Sequence, residues 1–226
     1  MENFIKFELP DLKKYSAKII ANIAGSTIED YCQMAEILSD SDVDMFEMNI
    51  SCPNVKEGGV AFGTDEGMVE KITSEVRKRA KKPLIVKLSP NVTDIVKMAK
   101  AAQNGGADAI SLINTLLGMK IDINTKRPVL NNNVGGLSGP CVMPVAVRMV
   151  WQVANAVDLP IIGMGGIMSA DDAAEFMLAG ADAVMVGTGL FKNPTLPTLV
   201  SKGLCEYADK NGYASVTEIT GKVVPN

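Results

Sequence analysis

The sequence predicts an α/β protein with a TIM-type (β/α)8 barrel, of which about six of the eight β/α units are present in the 226-residue chain. Two observations predict this class. Short apolar runs that end in Gly, Ser, Thr or Asn alternate with segments of helical period. In addition, a glycine cluster lies at the end of each of the last two runs, where barrel enzymes bind phosphate groups. We expect a single domain over residues 1–226.

The apolar runs are predicted to be parallel strands, because each intervening helix returns the chain to the same edge of the sheet. Two of the runs, IIANIAG and AVMVGTG, are nearly continuous in apolar residues, as is typical of parallel strands buried on both faces. The predicted strands lie at residues 18–25, 45–51, 84–89, 109–115, 160–166 and 183–189.

Between these runs, apolar residues three and four positions apart predict amphipathic helices. The first is expected at residues 26–40 with Ser26 as its N-cap, and Ser169 with Asp172 resembles a capping box at the start of a later helix. The other helices are expected around residues 68–76, from Thr93 to a stop at Gly105, after Pro140, and up to Gly180.

Two further features concern the connections. The four-residue sequence Gly-Ala-Asp-Ala occurs at residues 106–109 and 180–183, each time between a helix end and a strand. This recurrence indicates either an internal β/α repeat or a common helix-to-strand turn. Residues 116–139 form the longest irregular stretch, and we expect an active-site loop there because it follows the end of a barrel strand.

Composition excludes several function classes. The chain has 22 Lys and Arg residues against 26 Asp and Glu, so it lacks the basic surplus that holds a nucleic-acid backbone. Its apolar stretches are too short to cross a membrane, and we expect a cytoplasmic protein. It has no histidine, which removes Ser-His and Cys-His nucleophiles and His-ligated metals. The four cysteines form no Cys-x-x-Cys pair, so we expect no metal or iron–sulfur site.

The most informative segment is residues 47–59, in which Cys52 lies between Asn49 and Asn54 where a strand runs into a loop. Polar side chains at the carboxyl end of a barrel strand point into the active site. Cys52 is a candidate base or nucleophile, and the two asparagines suit a ring with amide-like edges. The alternative is a small buried cysteine in an ordinary turn, and spacing alone favours that alternative.

Other polar residues at strand ends complete the candidate site. Lys87 is a cation inside an apolar strand, so we expect it to face the barrel mouth and meet an anion or a developing negative charge. The alternative, a lysine that reaches solvent from the strand end, is less attractive because apolar residues flank it. Asn114 and Thr115 end the next strand, although Asn-Thr is also an ordinary turn pair. The glycine clusters at residues 163–166 and 187–189 predict a phosphate site, and their alternative is a pair of tight turns.

These motifs, in their order along the chain, resemble the class 1 FMN-dependent dihydroorotate dehydrogenases. The resemblance is strongest to the class 1B catalytic subunit. Class 2 enzymes carry serine where this chain has Cys52, and dihydropyrimidine dehydrogenases usually carry histidine where it has Asn54. The motifs are EMNISCPNVKEGG at 47–59, IVKLSPN at 85–91, SLINT at 111–115, GGLSGP at 135–140, IIGMGGI at 161–167 and VMVGTGLF at 184–191.

The resemblance implies oxidation of dihydroorotate to orotate in pyrimidine biosynthesis. It implies that Cys52 takes the C5 proton, that hydride from C6 passes to FMN, and that Lys87 stabilises the reduced flavin. The substrate-binding residues that it implies are Asn49, Asn54, Asn114 and Thr115. The FMN-binding residues that it implies are Asn22, Asn49, Lys87, Ile113, Gly139, Gly165, Gly166, Gly187 and Thr188.

The resemblance also implies partners. An iron–sulfur subunit containing FAD would relay electrons to NAD, and two catalytic chains would form a homodimer core within a heterotetramer. Family members begin with two further strands, so we expect this chain to lack the N-terminal quarter and part of the substrate clamp. Two alternatives stay open: another FMN barrel oxidoreductase that acts on a pyrimidine, similar to dihydropyrimidine dehydrogenase, and an inactive barrel fragment.

Overall fold

The structure is a computed structural model in which residues 1–51 and 59–226 are described, residues 59–61 by their backbone alone. Two predicted site residues, Cys52 and Asn54, therefore lie outside the described residues. The chain divides into two compact units, and the single domain stays a prediction. Unit 1 comprises Met1–Leu88 and Lys97–Ile110, and unit 2 comprises Ser89–Val96 and Ser111–Asn226.

The described residues form ten β-strands. They are β1 (Ile20–Ile23), β2 (Met45–Asn49), β3 (Leu84–Lys87), β4 (Ala109–Leu112), β5 (Leu116–Gly118), β6 (Ile121–Asp122), β7 (Arg127–Pro128), β8 (Gly135–Leu137), β9 (Ile161–Met164) and β10 (Ala183–Met185). One sheet contains β1, β2, β3, β4, β9 and β10 in that order, and each of these strands lies within one of the six predicted runs. The predicted α/β class, with six units of a (β/α)8 barrel, is confirmed.

The helices alternate with these strands as predicted. The α-helices are α1 (Leu9–Leu12), α2 (Ile28–Ser39), α3 (Gly59–Thr64), α4 (Glu66–Arg79), α5 (Ile95–Asn104), α6 (Met143–Ala154), α7 (Ala170–Leu178), α8 (Gly189–Lys192) and α9 (Leu196–Lys210). A π-helical turn spans Phe4–Glu8, and 3-10 turns span Pro140–Val142 and Val216–Ile219. Helix α7 begins after Ser169, whose side chain accepts a hydrogen bond from the backbone N–H of Asp172, which is one half of the predicted capping box. The Asp172 carboxylate accepts the N–H of Met168, one residue before the N-cap.

The N-cap predicted for the first long helix was wrong by one residue. Thr27 caps α2: its hydroxyl accepts a hydrogen bond from the N–H of Asp30, and the Asp30 carboxylate accepts one from the N–H of Thr27. Ser26 only donates its backbone N–H to the same carboxylate. These backbone hydrogen bonds, with that from Thr27 as the largest contribution, hold the pKa of Asp30 below its ordinary value.

The stretch predicted to be irregular contains two antiparallel pairs of short strands. Strand β5 pairs with β8, and β6 pairs with β7. These strands are only two or three residues long and show no alternation of apolar and polar residues, so periodicity could not reveal them. Most of the apolar side chains on these strands and the turns between them are exposed, Ile123 most of all.

Three aspartates form the same pair of hydrogen bonds at the amino ends of parallel strands. The backbone N–H of Asp44 donates to the carbonyl of Ile19 at 2.8 Å, and its carboxylate accepts the N–H of the same residue at 2.9 Å. Asp108 bonds Leu84 in this way, and Asp182 bonds Ile161. The Gly-Ala-Asp-Ala recurrence therefore supplies one repeated structural contact in each copy.

Candidate active site

Four polar residues of unit 1 share one face of the sheet. In the parallel register, Asn22 lies opposite Glu47, and Asn49 lies opposite Lys87. Because side chains alternate between faces along a strand and paired residues point the same way, Glu47 and Asn49 lie on one face of β2 while Phe46 lies on the other. We refer to Asn22, Glu47, Asn49 and Lys87 as the polar cluster of unit 1.

Glu47 lies at the centre of this cluster. Its side chain is 4% exposed, and its Oε2 atom accepts a hydrogen bond from Nδ2 of Asn22 at 2.5 Å. The Nζ atom of Lys87 lies 3.8 Å from the same oxygen, and the Lys87 side chain is 17% exposed. Lys87 thus has an anionic neighbour within the protein itself, and its predicted position at the barrel mouth stays a prediction. Sequence reasoning missed Glu47, although its position two residues before Asn49 places both on one strand face.

Asn49 is held by contacts on both its backbone and its side chain. The hydroxyl of Tyr31 donates to the carbonyl oxygen of Asn49 at 2.8 Å, and Tyr31 is itself fully buried and packs edge-on against Phe62. The Oδ1 atom of Asn49 accepts hydrogen bonds from the hydroxyl of Ser51 at 3.0 Å and from its N–H at 3.3 Å. The strand that leads toward Cys52 therefore ends in an ordered arrangement.

In unit 2, the predicted pyrimidine-binding pair follows β4. Oδ1 of Asn114 accepts the N–H of Thr115 at 2.7 Å. Asn91 contacts the same segment: its Nδ2 donates to the carbonyl of Thr115 at 3.0 Å, and its Oδ1 accepts the N–H of Leu117 at 2.9 Å. Asn91 was not among the predicted site residues, and it orients the backbone beside them. The N–H of Ile113 donates to the carbonyl of Met164 in β9.

The predicted phosphate-binding turns come together within unit 2. Thr188 donates its hydroxyl hydrogen to the hydroxyl of Ser138 at 3.0 Å, which links the turn after β10 to the turn after β8. A side chain at Gly166 would lie 2.9 Å from the carbonyl oxygen of Gly139 and 2.8 Å from Cβ of Met143. We call Gly139, Gly165, Gly166, Gly187 and Thr188 the glycine turns of unit 2.

Different structural constraints explain why glycine stands at each of these positions. Gly165 and Gly166 have left-handed φ angles of +126° and +90°, and a Cβ atom at either would be crowded by neighbouring atoms. Tight turns and packing therefore account for both. Gly187 has neither constraint, since its φ is not left-handed and no described atom lies within 4 Å of a Cβ built there. The space beside Gly187 suits the close approach of a ligand to backbone, as phosphate turns require.

In the described part of the chain, no group of three or more His, Cys, Asp or Glu side chains could hold a metal ion. The described helices include none with the length and apolar character needed to span a bilayer. Burial, followed by the charge of Glu29, raises the pKa of the Cys32 thiol, which disfavours its reactive thiolate form.

The predicted residues thus fall into three groups. Asn22, Asn49 and Lys87 lie together in unit 1. The structure places the second group in unit 2, consisting of Ile113, Asn114, Thr115, Gly139, Gly165, Gly166, Gly187 and Thr188. Cys52 and Asn54 form the third group, outside the described residues. The roles assigned to all of them stay predictions.

Comparison with known proteins identifies the family. A family model described as dihydroorotate dehydrogenase matches residues 2–207. The dihydroorotate dehydrogenase B (NAD(+)) catalytic subunit of Alkaliphilus metalliredigens is 59% identical over 223 residues, which are 99% of this chain and 74% of that protein. Proteins of the same name from Alkaliphilus oremlandii and Lachnoclostridium phytofermentans are 59% and 53% identical, with the same shares covered. The chain belongs to the dihydroorotate dehydrogenase family.

Proposed function

We propose that this protein is an FMN-dependent oxidoreductase that converts dihydroorotate to orotate. The observation that carries the proposal is the polar cluster of unit 1, in which a half-buried lysine and two asparagines face the same way at the ends of parallel strands. Barrel enzymes place their catalytic groups at such ends. The names of the relatives, 59% identical over nearly the whole chain, state the same reaction.

The residues present fit FMN. A flavin phosphate needs backbone N–H groups that it can approach closely, and the glycine turns of unit 2 leave room for this beside Gly187. When bound, FMN would supply the two-electron acceptor for the hydride that leaves C6 of dihydroorotate. Lys87 would place a positive charge where the reduced flavin is anionic, and Asn22 and Ile113 would line the ring.

We assign proton removal to Cys52, three residues after Asn49 in the sequence. The cysteine would take the C5 proton as a general base, since the chain has no histidine for this role. Asn49, Asn54, Asn114 and Thr115 would hold the pyrimidine through amide and hydroxyl hydrogen bonds.

The electron path beyond the flavin requires a partner. The relatives are named as catalytic subunits of an NAD(+) enzyme, which implies a further subunit. We propose an iron–sulfur subunit containing FAD that passes electrons to NAD, with two copies of this chain at the centre of the complex. Cytoplasmic location stays a prediction.

The alternative of a pyrimidine reductase similar to dihydropyrimidine dehydrogenase is not favoured, because the matching family is that of dihydroorotate dehydrogenases. An inactive fragment is separated from the enzyme by experiment. The purified protein should show flavin absorbance and should reduce an artificial acceptor with dihydroorotate but not with dihydrouracil. A protein that stays colourless after incubation with FMN would contradict the proposal.

A further inference from the structure

Glu47 carries a role that neither the motifs nor the proposed function assigns. We propose that Glu47 is a positioning residue, which holds the ammonium group of Lys87 and the amide of Asn22 in the orientations that serve the flavin. The contacts themselves belong to the protein, whereas their use for flavin rests on the proposed function. The two parts can be tested separately.

The first argument is the free-energy cost of burying the Glu47 carboxylate. Glu47 is almost fully buried, and a buried charge is retained only where a counter-charge and hydrogen bonds compensate for lost water. Its Oε2 atom receives both, with Lys87 at 3.8 Å and Asn22 at 2.5 Å. Such a buried ionic pair adds little stability compared with apolar residues of similar volume. Its location among predicted flavin-binding residues therefore indicates a positioning role.

The second argument is orientation. An ionised carboxylate only accepts hydrogen bonds, so Asn22 must turn its Nδ2 atom toward Glu47. The Oδ1 atom of Asn22 is then directed away from Glu47, and the residue is exposed to solvent. Glu47 thereby leaves the Oδ1 atom of Asn22 available as a hydrogen-bond acceptor for a ligand. A glutamine at position 47 could donate or accept and would leave the Asn22 amide free to flip.

The third argument is that the Glu47 side chain links side chains from three strands. Asn22, Glu47 and Lys87 come from β1, β2 and β3, so the carboxylate fixes side chains on both neighbouring strands at once. A long lysine side chain otherwise has considerable rotamer freedom, which would be lost on binding a ligand. Fixing Lys87 in advance removes that cost from flavin binding.

The first experiment needs no flavin. In the flavin-free protein, Lys87 of the Glu47→Gln variant should react several-fold faster with an amine-acylating reagent, because its ammonium is no longer held against a buried carboxylate. Peptide mass spectrometry measures the rate, with the exposed Lys100 as reference in the same sample. Glu36→Gln, which breaks the exposed pair with Arg79, is the matched control and should not change Lys87. An unchanged Lys87 rate in Glu47→Gln overturns the proposal.

The second experiment measures the flavin midpoint potential. In Glu47→Asp the negative charge stays, but a side chain one methylene shorter holds Lys87 and Asn22 less well. Lys87 should then stabilise the anionic reduced flavin less, and the potential should move to more negative values. In a Lys87→Met background, the same substitution should shift the potential much less, and an equal shift in both backgrounds contradicts the proposal.

The two experiments separate the possible failures. If no variant binds FMN, the proposed function is wrong, and the labelling rates alone decide whether Glu47 positions Lys87. If FMN binds normally but Lys87 labelling is insensitive to Glu47, the proposed function survives and the positioning role does not. Lys82 reports folding in the same sample, because it is half-buried, donates hydrogen bonds to the carbonyls of Ser41 and Val43, and would label faster in a misfolded variant.

Discussion

The hydroxyl of Thr188 donates a hydrogen bond to the hydroxyl of Ser138, across 50 positions of sequence. Each residue adjoins a glycine: Ser138 precedes Gly139, and Thr188 follows Gly187. The contact holds two turns of unit 2 together without using backbone N–H groups. Those N–H groups are what a phosphate would bind.

A substitution at Gly187 can change phosphate binding without changing the unfolding free energy. Gly187→Ala should leave the unfolding free energy of the flavin-free protein unchanged, because no described atom crowds the new methyl group and φ is not left-handed. FMN binding should weaken by about tenfold or more, since a hydrogen bond to a charged group contributes about 1.5–3 kcal/mol. Urea unfolding and FMN titration measure the two effects.

Two control variants sharpen this test. Gly166→Ala should destabilise the protein by about 1–3 kcal/mol even without FMN, because its φ of +90° is left-handed and Met143 crowds the site. Gly67→Ala on α4 should leave FMN affinity unchanged and raise the unfolding free energy by up to about 1 kcal/mol, since alanine is the better helix former and its Cβ would make only an ordinary contact. Unchanged FMN affinity in Gly187→Ala would show that the turns do not serve a phosphate.

Cys52→Ala tests the proposed base. The variant should keep its FMN but lose about 10²–10⁴-fold in the rate of dihydroorotate oxidation, the range that a positioned base contributes. Stopped-flow measurement of flavin bleaching by dihydroorotate gives the rate directly. Cys205→Ala, at an exposed position on α9, should react normally. A near-normal rate in Cys52→Ala would remove this residue from the mechanism.

The contacts of the Asp44 carboxyl predict that part of the folding stability is lost in acid. The N–H of Ile19, then Lys13 and Lys18, hold the pKa of its carboxyl well below the ordinary value. A lowered folded-state pKa means that the stabilisation is present above the ordinary Asp pKa of about 4 and is lost as pH falls toward the folded-state value. Asp44→Asn should therefore be less stable than the parent at pH 7, and this difference should shrink progressively below pH about 4.

Thermal unfolding at several pH values measures this difference. Asp11→Asn is the matched control, because Asp11 also pairs with a lysine but at a highly exposed site. Exposed ion pairs contribute little, so this control should match the parent throughout. A stability difference for Asp44→Asn that persists undiminished at low pH would rule out the linkage.

Electron transfer to NAD should depend on the partner. The protein alone should reduce artificial acceptors with dihydroorotate but reduce NAD only negligibly, because the chain has no Rossmann glycine motif after an early strand. Addition of the proposed iron–sulfur FAD subunit should confer NAD reduction, followed as NADH absorbance. Efficient NAD reduction by the isolated chain, or fumarate as its best acceptor, would contradict the class 1B assignment.

The strands and most helices could be predicted because apolar periodicity and glycine stops are local properties. The contacts of Glu47 could not be predicted, because they depend on the register of β2 against β1 and β3, which no single segment encodes. The same limit applies to Asn91, which contacts residues more than 20 positions away. Ser26 and Thr27 are both good caps, and only the side chain that reaches Asp30 distinguishes them.

The aspartate contacts recur once for every two strands of the sheet. Asp44, Asp108 and Asp182 precede β2, β4 and β10. Each binds the first residue of the strand before its own, or for Asp44 the residue just before that strand. The repeating module is therefore a pair of β/α units, which is one quarter of an eight-stranded barrel. Chimeras between homologous barrels should be joined between such pairs, since a junction within a pair combines a carboxylate and an N–H that did not evolve together.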